Sequence, residues 1–288
     1  MVLAALKHGK HIYNASPHAP DWNGAKAIEA AFANGRSIAV VDAFCEYIPA
    51  LRLMKHMVDD GFLGDALGGT CRFNISLFNA PDKRFPYNWF ADGSAGVSAV
   101  RNNGSHALYL LMHLFGPVAE LVADDSRILA QWVFPDGDII VPETNDFANV
   151  ILKFESGLTM QMQISWSMPL HDGFLIDVFG AKARMVAKSP TFPTARDCTL
   201  EAGQLGAELA PVAIPNHFKV VEGIGVDWQA DIAPSFPMAL SMHAMVEAIH
   251  GRGKASPDFT RALQIEQIQE AIRLSSAERR WVAISEIN

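Results

Sequence analysis

The sequence predicts an α+β fold: the last part of a doubly wound α/β unit, then a large, mainly antiparallel sheet that helices cover on one side. Three observations predict it. Residues 1–44 read helix, strand, helix, strand; three later stretches alternate apolar and polar residues; and two amphipathic helices close the chain. We therefore expect two domains, at residues 1–44 and 45–288.

The first 44 residues carry the helix and strand signals of a βαβ unit. Residues 2–8 are predicted to be helical up to Gly9, and residues 10–14 to form a short strand. A second helix is expected over residues 21–35, with Asp21 as its N-cap. Residues 38–41 are continuously apolar, which is typical of a buried strand in a parallel sheet.

The rest of the chain changes pattern after one more helix, at residues 49–64. Residues 65–78, 147–168 and 173–189 alternate in the manner of half-buried antiparallel strands. A Glu-Ser-Gly turn at residues 155–157 makes the middle stretch a predicted hairpin. Helices are expected at 234–253 and 259–280, and the segment 191–231, rich in Pro and Gly, is predicted to be irregular.

Composition excludes several classes of protein. The net charge of −8, with no long basic cluster, argues against a nucleic-acid partner. No apolar run reaches the roughly 18 residues that a membrane span needs, and the N-terminus lacks a signal-peptide pattern. The cysteines (Cys45, Cys71 and Cys198) lie far apart without a CxxC pair, so we expect a protein of the reducing cytoplasm.

Four stretches of the sequence resemble the Gfo/Idh/MocA oxidoreductases. They are "ALKHGKHIYNASP", "PALRLMKHMVDDGFLG", "GSAGVSAVRNNGSHALYLLMHLFG" and "PDFTRALQIEQIQEAIRLSSAERRWV", and together they cover nearly the whole chain. The resemblance implies NAD(P)-dependent hydride transfer on a sugar or polyol. It also implies that the strand near Lys10 is the fifth strand of a Rossmann domain, whose first strand and G-x-G-x-x-G turn would come earlier.

No such glycine fingerprint occurs in the sequence. "GIGVDW", which begins at Gly223, lacks the third glycine and a strand-to-helix context. The dinucleotide pyrophosphate needs backbone amides at a helix N-terminus behind such a turn. We therefore expect a chain shortened at its N-terminus, with NAD or NADP implied by the resemblance and tight binding by this chain alone not expected. On the nicotinamide side, the resemblance assigns Ser16 and Pro17.

The resemblance also implies which residues would catalyse the reaction. The family's lysine position holds Ser16, its aspartate position holds Asn102, and the arginine of an upstream F-R-x-x-P motif is Glu46. Only His106 is retained, and an unperturbed imidazole, with a pKa near ~6.5, can act as a base. Asn102 and His106, four residues apart, are expected to point to one side of a helix.

Four further residues are candidates for binding substrate. The resemblance implies that Tyr109 replaces a family aspartate; it either faces an acidic sugar or packs into the space of an inactive site. Arg101 either pairs with such a sugar or solvates a helix end. Trp89 either stacks on a sugar face or fills the core. His171 either lines the same pocket or lies in a hairpin turn. No metal site is expected, because His106 and His113 are seven residues apart with no carboxylate between them.

The sequence leaves three functions open. The chain is a shortened oxidoreductase, a non-enzymatic sugar-binding or assembly module, or a subunit completed by a separate nucleotide-binding chain. The replaced catalytic positions favour the module, because shortening alone would not alter motifs downstream. The retained motifs favour the oxidoreductase. Homo-oligomers are expected through the open sheet face, where residues 159, 161, 163 and 165 are polar but uncharged.

Overall fold

The structure is a computed structural model that describes residues 1–84, 87–221, 223–231 and 233–288, with the backbone only at 87 and 88. The helices are α1 (Val2–Lys7), α2 (Trp22–Ala33), α3 (Pro49–Asp59), α4 (Tyr87–Ala91), α5 (Ser105–Phe115), α6 (Asn216–Lys219), α7 (Ser235–Ile249) and α8 (Phe259–Glu278). None of the helices in these ranges is both long enough and apolar enough to cross a membrane.

The strands form one large sheet and two small ones. They are β1 (Ile12–Asn14), β2 (Ala39–Val41), β3 (Ala66–Asn74), β4 (Val118–Ser126), β5 (Trp132–Val133), β6 (Ile139–Ile140), β7 (Phe147–Phe154), β8 (Thr159–Ser165), β9 (Gly173–Gly180), β10 (Ala183–Ser189), β11 (Thr199–Gln204), β12 (Ala210–Pro211) and β13 (Val282–Ala283). The large sheet has the order β12-β11-β10-β9-β3-β8-β7-β4-β13. All its neighbours are antiparallel except β3 and β8. The α+β prediction is confirmed.

The N-terminal elements form the small parallel unit that the sequence predicts. β1 and β2 pair in parallel over three residues, and the carboxyl group of Asp21 accepts the amide hydrogen of Gly24 at 2.7 Å as the N-cap of α2. The parallel strand is shorter than predicted, because regular pairing is confined to Ala39–Val41. The segment that follows β1 lies next to the start of α5, where the candidate site is found.

The large sheet buries one face and exposes the other, as the alternation in β8 predicts. Met160, Met162 and Ile164 are fully buried, whereas Thr159 and Gln161 are exposed. β7 and β8 form the predicted hairpin, and its turn residue Gly157 has a φ of +91°. Since Gly tolerates this left-handed conformation without strain, it suits the turn.

Two sequence expectations about loops are wrong. The segment 191–231 is not wholly irregular, because Thr199–Gln204 pairs with β10. Leu200 is the one residue of that strand that is almost fully buried, so the alternating pattern was weak. The segment around His171 is not a hairpin turn, because β8 and β9 both flank β3 and are not neighbours. It is a crossover connection between two non-adjacent strands.

Candidate functional site

His106 lies in the first turn of α5, buried against two aromatic rings that also contact each other. Its ring centroid is 5.2 Å from that of Phe44 and 5.5 Å from that of Phe192. The side chain is nearly inaccessible, and its Nδ1 atom has no hydrogen-bond partner among the described residues. Burial lowers the pKa of His106 to about 4, because an apolar environment disfavours the charged imidazole. At neutral pH the ring is therefore uncharged and offers a hydrogen-bond acceptor.

A short chain of hydrogen bonds connects the end of β1 to the start of α5. The Oγ atoms of Ser16 and Ser105 are 2.5 Å apart, and Ser105 Oγ donates to the carbonyl oxygen of Asn102 at 2.6 Å. Since the Ser105 hydrogen goes to that carbonyl, the Ser16 hydroxyl is the donor to Ser105. Ser16 therefore holds the loop after β1 against the helix that carries His106. A serine hydroxyl supplies no positive charge at this position.

The turn before α5 is wider than an α-helical turn. Residues Val100–Gly104 form a π-helix, in which the amide of Gly104 donates to the carbonyl of Ala99 at 3.0 Å. A π-helical turn contains more residues than an α-helical one, so a spacing of four residues still leaves Asn102 and His106 near the same side of the helix axis, and their joint role stays a prediction. A Cβ at Gly104 would lie 3.4 Å from Ile164 of β8, which shows how closely this turn approaches the sheet.

Arg101 is held by protein groups on three sides. Its Nε donates to the carbonyl of Gly96 at 2.8 Å, and one of its terminal nitrogens contacts both the carbonyl of Ala19 and Glu266 Oε2 at 2.7 Å. The Arg101 and Glu266 side chains are 18% and 2% exposed. This geometry matches neither of the two alternatives for Arg101: it is a largely buried ion pair that connects α8 to the loop after β1.

Tyr109 lies one turn further along α5, and it too is buried. Its hydroxyl has no hydrogen-bond partner among the described residues. Burial, followed by the nearby Glu266 carboxylate, raises the pKa of Tyr109. The phenol is therefore neutral at all physiological pH values and remains a potential donor.

Trp89 and His171 lie apart from this cluster. Trp89 is 47% exposed, and its ring packs edge-on against Phe90 with centroids 4.6 Å apart. His171 is in the connection between β8 and β9, beside the ion pair of Arg72 with Asp172 at 2.8 Å. Within the described residues, neither side chain has a hydrogen bond or ring contact with His106.

Three residues of the cluster were not found by sequence reasoning. The rings of Phe44 and Phe192 contact His106. Ser105 accepts a hydrogen bond from Ser16 and donates one to the carbonyl oxygen of Asn102. Phe192 lies in the segment predicted to be irregular, where no periodicity indicates what a side chain covers. Phe44 directly follows a buried strand, which is a weak signal for a residue at the edge of a site.

The described residues do not fit the pyrophosphate of a dinucleotide. The helix that follows β1 has its N-terminal amide at Gly24 occupied by the Asp21 carboxylate, whose negative charge would oppose a phosphate. The glycines of "GIGVDW" lead to a short 3₁₀ turn, Trp228–Ala230, and follow no strand. Nor do the described residues contain a cluster of His, Cys, Asp or Glu side chains that could hold a metal ion.

Known proteins are similar to this chain in sequence and in fold. Residues 51–186 match the model of the GFO/IDH/MocA C-terminal domain. An uncharacterized oxidoreductase of Synechocystis sp. is 20% identical, with 89% of this chain and 68% of the relative aligned. The levoglucosan dehydrogenase of Pseudarthrobacter phenanthrenivorans is 21% identical, with 100% of this chain and 77% of the relative aligned.

Solved structures agree with these matches. An NAD-binding oxidoreductase from Klebsiella pneumoniae superimposes with a TM-score of 0.84 at 22% identity, covering 99% of this chain and 76% of the other. A levoglucosan dehydrogenase in complex with NADH and levoglucosan gives a TM-score of 0.85 at 20% identity, over 98% and 76% of the two chains. Residues 51–186 of this chain therefore match the GFO/IDH/MocA C-terminal domain, and the chain shares the fold of these solved structures.

Proposed function

We propose that this chain binds a sugar or polyol at His106. The observation that carries the proposal is the unpartnered Nδ1 atom of His106. A buried polar atom without a partner costs free energy, and a ligand hydroxyl that donates to it would remove that cost. The low pKa keeps the imidazole neutral, so Nδ1 can accept such a hydrogen bond throughout the physiological range.

The surroundings of His106 suit the carbon face of a sugar. Phe44 and Phe192 present two adjacent aromatic rings next to the imidazole, and Phe192 is only partly buried, in a loop without regular structure. Aromatic rings pack against C–H groups while polar atoms fix the orientation. The named relatives support a sugar ligand, since two of them are levoglucosan dehydrogenases, one in complex with levoglucosan.

Hydride transfer between a polyol carbon and NAD or NADP is the second candidate function. The complexes of levoglucosan dehydrogenase with NADH favour it. Two features of this chain oppose it: the described residues do not fit the pyrophosphate, and Ser16 takes the position that the resemblance gives to a lysine. Sugar binding is therefore the first candidate function, and hydride transfer is the second.

The test is a thermal-shift screen with a panel of neutral and acidic sugars and polyols. We expect at least one of them to stabilise the wild type and the His8→Ala control, whose histidine is exposed, but not His106→Ala. His106→Gln, which keeps an acceptor, should retain part of the shift. The proposal is wrong if no sugar stabilises the wild type, or if His106→Ala keeps the full shift.

A fluorescence titration with NADH and NADPH separates the two candidates. Because the described residues offer no pyrophosphate site, we expect no saturable binding at low micromolar cofactor, with or without a sugar from the screen. Saturable binding, together with sugar-dependent reduction of NAD⁺ or NADP⁺, would establish the oxidoreductase instead. A sugar that binds without either effect supports the binding function.

A further inference from the structure

A cavity lies further along α5 than His106. It is an open groove of about 470 Å³, bounded by the segment Phe44–Tyr47, α3, α6 and α7. His113 reaches it from α5, two turns beyond His106. Its lining includes none of Ser16, Asn102 or His106. The volume suits a ligand of sugar size.

The floor of the groove is a carboxyl–imidazole pair. Glu46 Oε2 lies 3.3 Å from His113 Nδ1, with side-chain exposures of 7% and 31%. Burial raises the pKa of Glu46 to about 7 and lowers the pKa of His113 to about 4, so near neutral pH the imidazole is uncharged and the carboxyl group is protonated in about half of the molecules. A carboxyl group that both donates and accepts is well matched to a ligand hydroxyl.

One wall of the groove carries a cation without a carboxylate partner. Arg52 donates from Nη1 to the carbonyl of Phe218 at 3.1 Å, and its guanidinium lies 5.5 Å from the Phe218 ring centroid. No salt bridge to Arg52 occurs among the described residues, whereas neighbouring Lys55 pairs with Asp59. The planar guanidinium has further N–H donors in a geometry that fits a carboxylate. Packing on the Phe218 ring holds the guanidinium group in a position to bind a carboxylate.

Apolar side chains complete the groove. The Phe218 ring, Val221 and Leu240 also line the groove. They offer a surface for the carbon skeleton of a ligand, while the polar groups would select its ends. The groove therefore combines a cation, a pair that can bind a hydroxyl group and an apolar surface. Together they suit a small ligand with an anionic group, a hydroxyl group and a carbon chain.

We propose that this groove is a second ligand site, which takes a small hydroxylated carboxylate. Arg52 binds the carboxylate, the Glu46–His113 pair binds a hydroxyl group, and Phe218 with Leu240 packs on the carbon chain. This site goes beyond the proposed sugar-binding function, because it shares no residue with the His106 cluster. The chain would thus bind a neutral sugar at one end of α5 and an organic acid further along it.

The experiment is isothermal titration of the full chain with D-gluconate and with its uncharged counterpart D-glucitol. We expect saturable gluconate binding that Arg52→Gln weakens by about tenfold or more, while Arg52→Lys restores part of it. Glu46→Gln keeps a hydroxyl-binding amide and should weaken binding less than Glu46→Leu. His106→Ala should leave gluconate affinity unchanged, which distinguishes this site from the sugar site.

Three outcomes would overturn the proposal. Gluconate that does not bind the wild type refutes the ligand class. Glucitol that binds His106→Ala as tightly as gluconate does refutes the role of Arg52, because the proposed polyol site at His106 is absent from that variant. Loss of gluconate binding in His106→Ala, with Arg52→Gln unaffected, would assign the acid to the His106 site. Circular dichroism of each variant shows whether it is folded, and Arg52→Lys provides the test if Arg52→Gln is not.

Discussion

Breaking the ion pair of Arg101 with Glu266 should destabilise the protein far more than breaking an exposed pair. In Arg101→Met, the Glu266 carboxyl stays buried, and its remaining donors are the backbone amides of Ala19, at 3.4 Å, and of His18. Removing one partner of a buried pair typically costs about 3–5 kcal/mol. The carbonyls of Gly96 and Ala19 also lose donors, which places the expected cost towards the upper end of that range.

The matched control is Arg184→Met. Arg184 pairs with Asp177 across β9 and β10, but the two side chains are 54% and 22% exposed. Solvent screens this pair, so its loss should cost at most about 1 kcal/mol. For a chain of this size each kcal/mol corresponds to roughly 2 °C in Tm, so the two variants should differ by at least about 4 °C.

Urea unfolding followed by tryptophan fluorescence measures both free energies. In Arg101→Met, Glu266 loses its nearby cation, and the pKa of that carboxyl, already raised by burial, rises further. A group whose pKa is higher in the folded state favours folding as pH falls. The difference in free energy of unfolding between variant and wild type should therefore narrow as pH falls from neutral towards the ordinary pKa range of a glutamate. Arg101→Met/Glu266→Gln should recover part of the loss, because no buried charge remains.

Equal losses in Arg101→Met and Arg184→Met would refute this assignment of Arg101. So would an Arg101→Met variant with wild-type stability that no longer responds to sugars in the thermal-shift screen. The second result would make Arg101 a ligand for an acidic sugar, which is one of the alternatives that the sequence leaves open. Measuring stability and binding on the same variants separates these outcomes.

Two further predictions concern acid stability and assembly. Burial lowers the pKa values of His18 and His106 to about 4, so the unfolded chain binds more protons than the folded one between about pH 4 and about pH 6.5. The contribution of these histidines to the free energy of unfolding should be fully present above that window and should be lost as pH falls through it. His106→Phe should make the dependence of Tm on pH shallower, and an unchanged slope would contradict this. We also propose that the chain self-associates through the exposed sheet face, where Ile151 lies opposite Gln161 on adjacent strands. Light scattering should detect an oligomer that Ile151→Lys dissociates, whereas a monomeric wild type at tens of micromolar would exclude it.

Local sequence patterns were sufficient for the elements and their buried faces. Alternation in β8 placed Met160 and Met162 inside, and both are fully buried. Asp21 was predicted as an N-cap, and its carboxyl group does accept the amide of Gly24. Such signals succeed because a cap or a buried face depends on residues a few positions apart, whose spacing is fixed by the backbone geometry of a helix or strand.

The candidate sites depend on contacts between residues that are distant in sequence. Ser16 meets Ser105 across 89 positions, and Arg101 meets Glu266 across 165. Glu46 was noted only as a replaced arginine, and nothing local indicated that it would pair with His113. Periodicity specifies that a face is buried but not which neighbour covers it, since that depends on the order of strands in the sheet.

The sequence by itself determined the α+β class, the family likeness and the histidine at the start of α5. Only the tertiary structure decided that His106 is neutral and unpartnered, because its low pKa arises from burial against Phe44 and Phe192. Only the tertiary structure placed Arg52 without a carboxylate beside the Glu46–His113 pair. Charge state and pairing depend on the local dielectric and on which side chains meet, and both are set by packing between elements far apart in the chain.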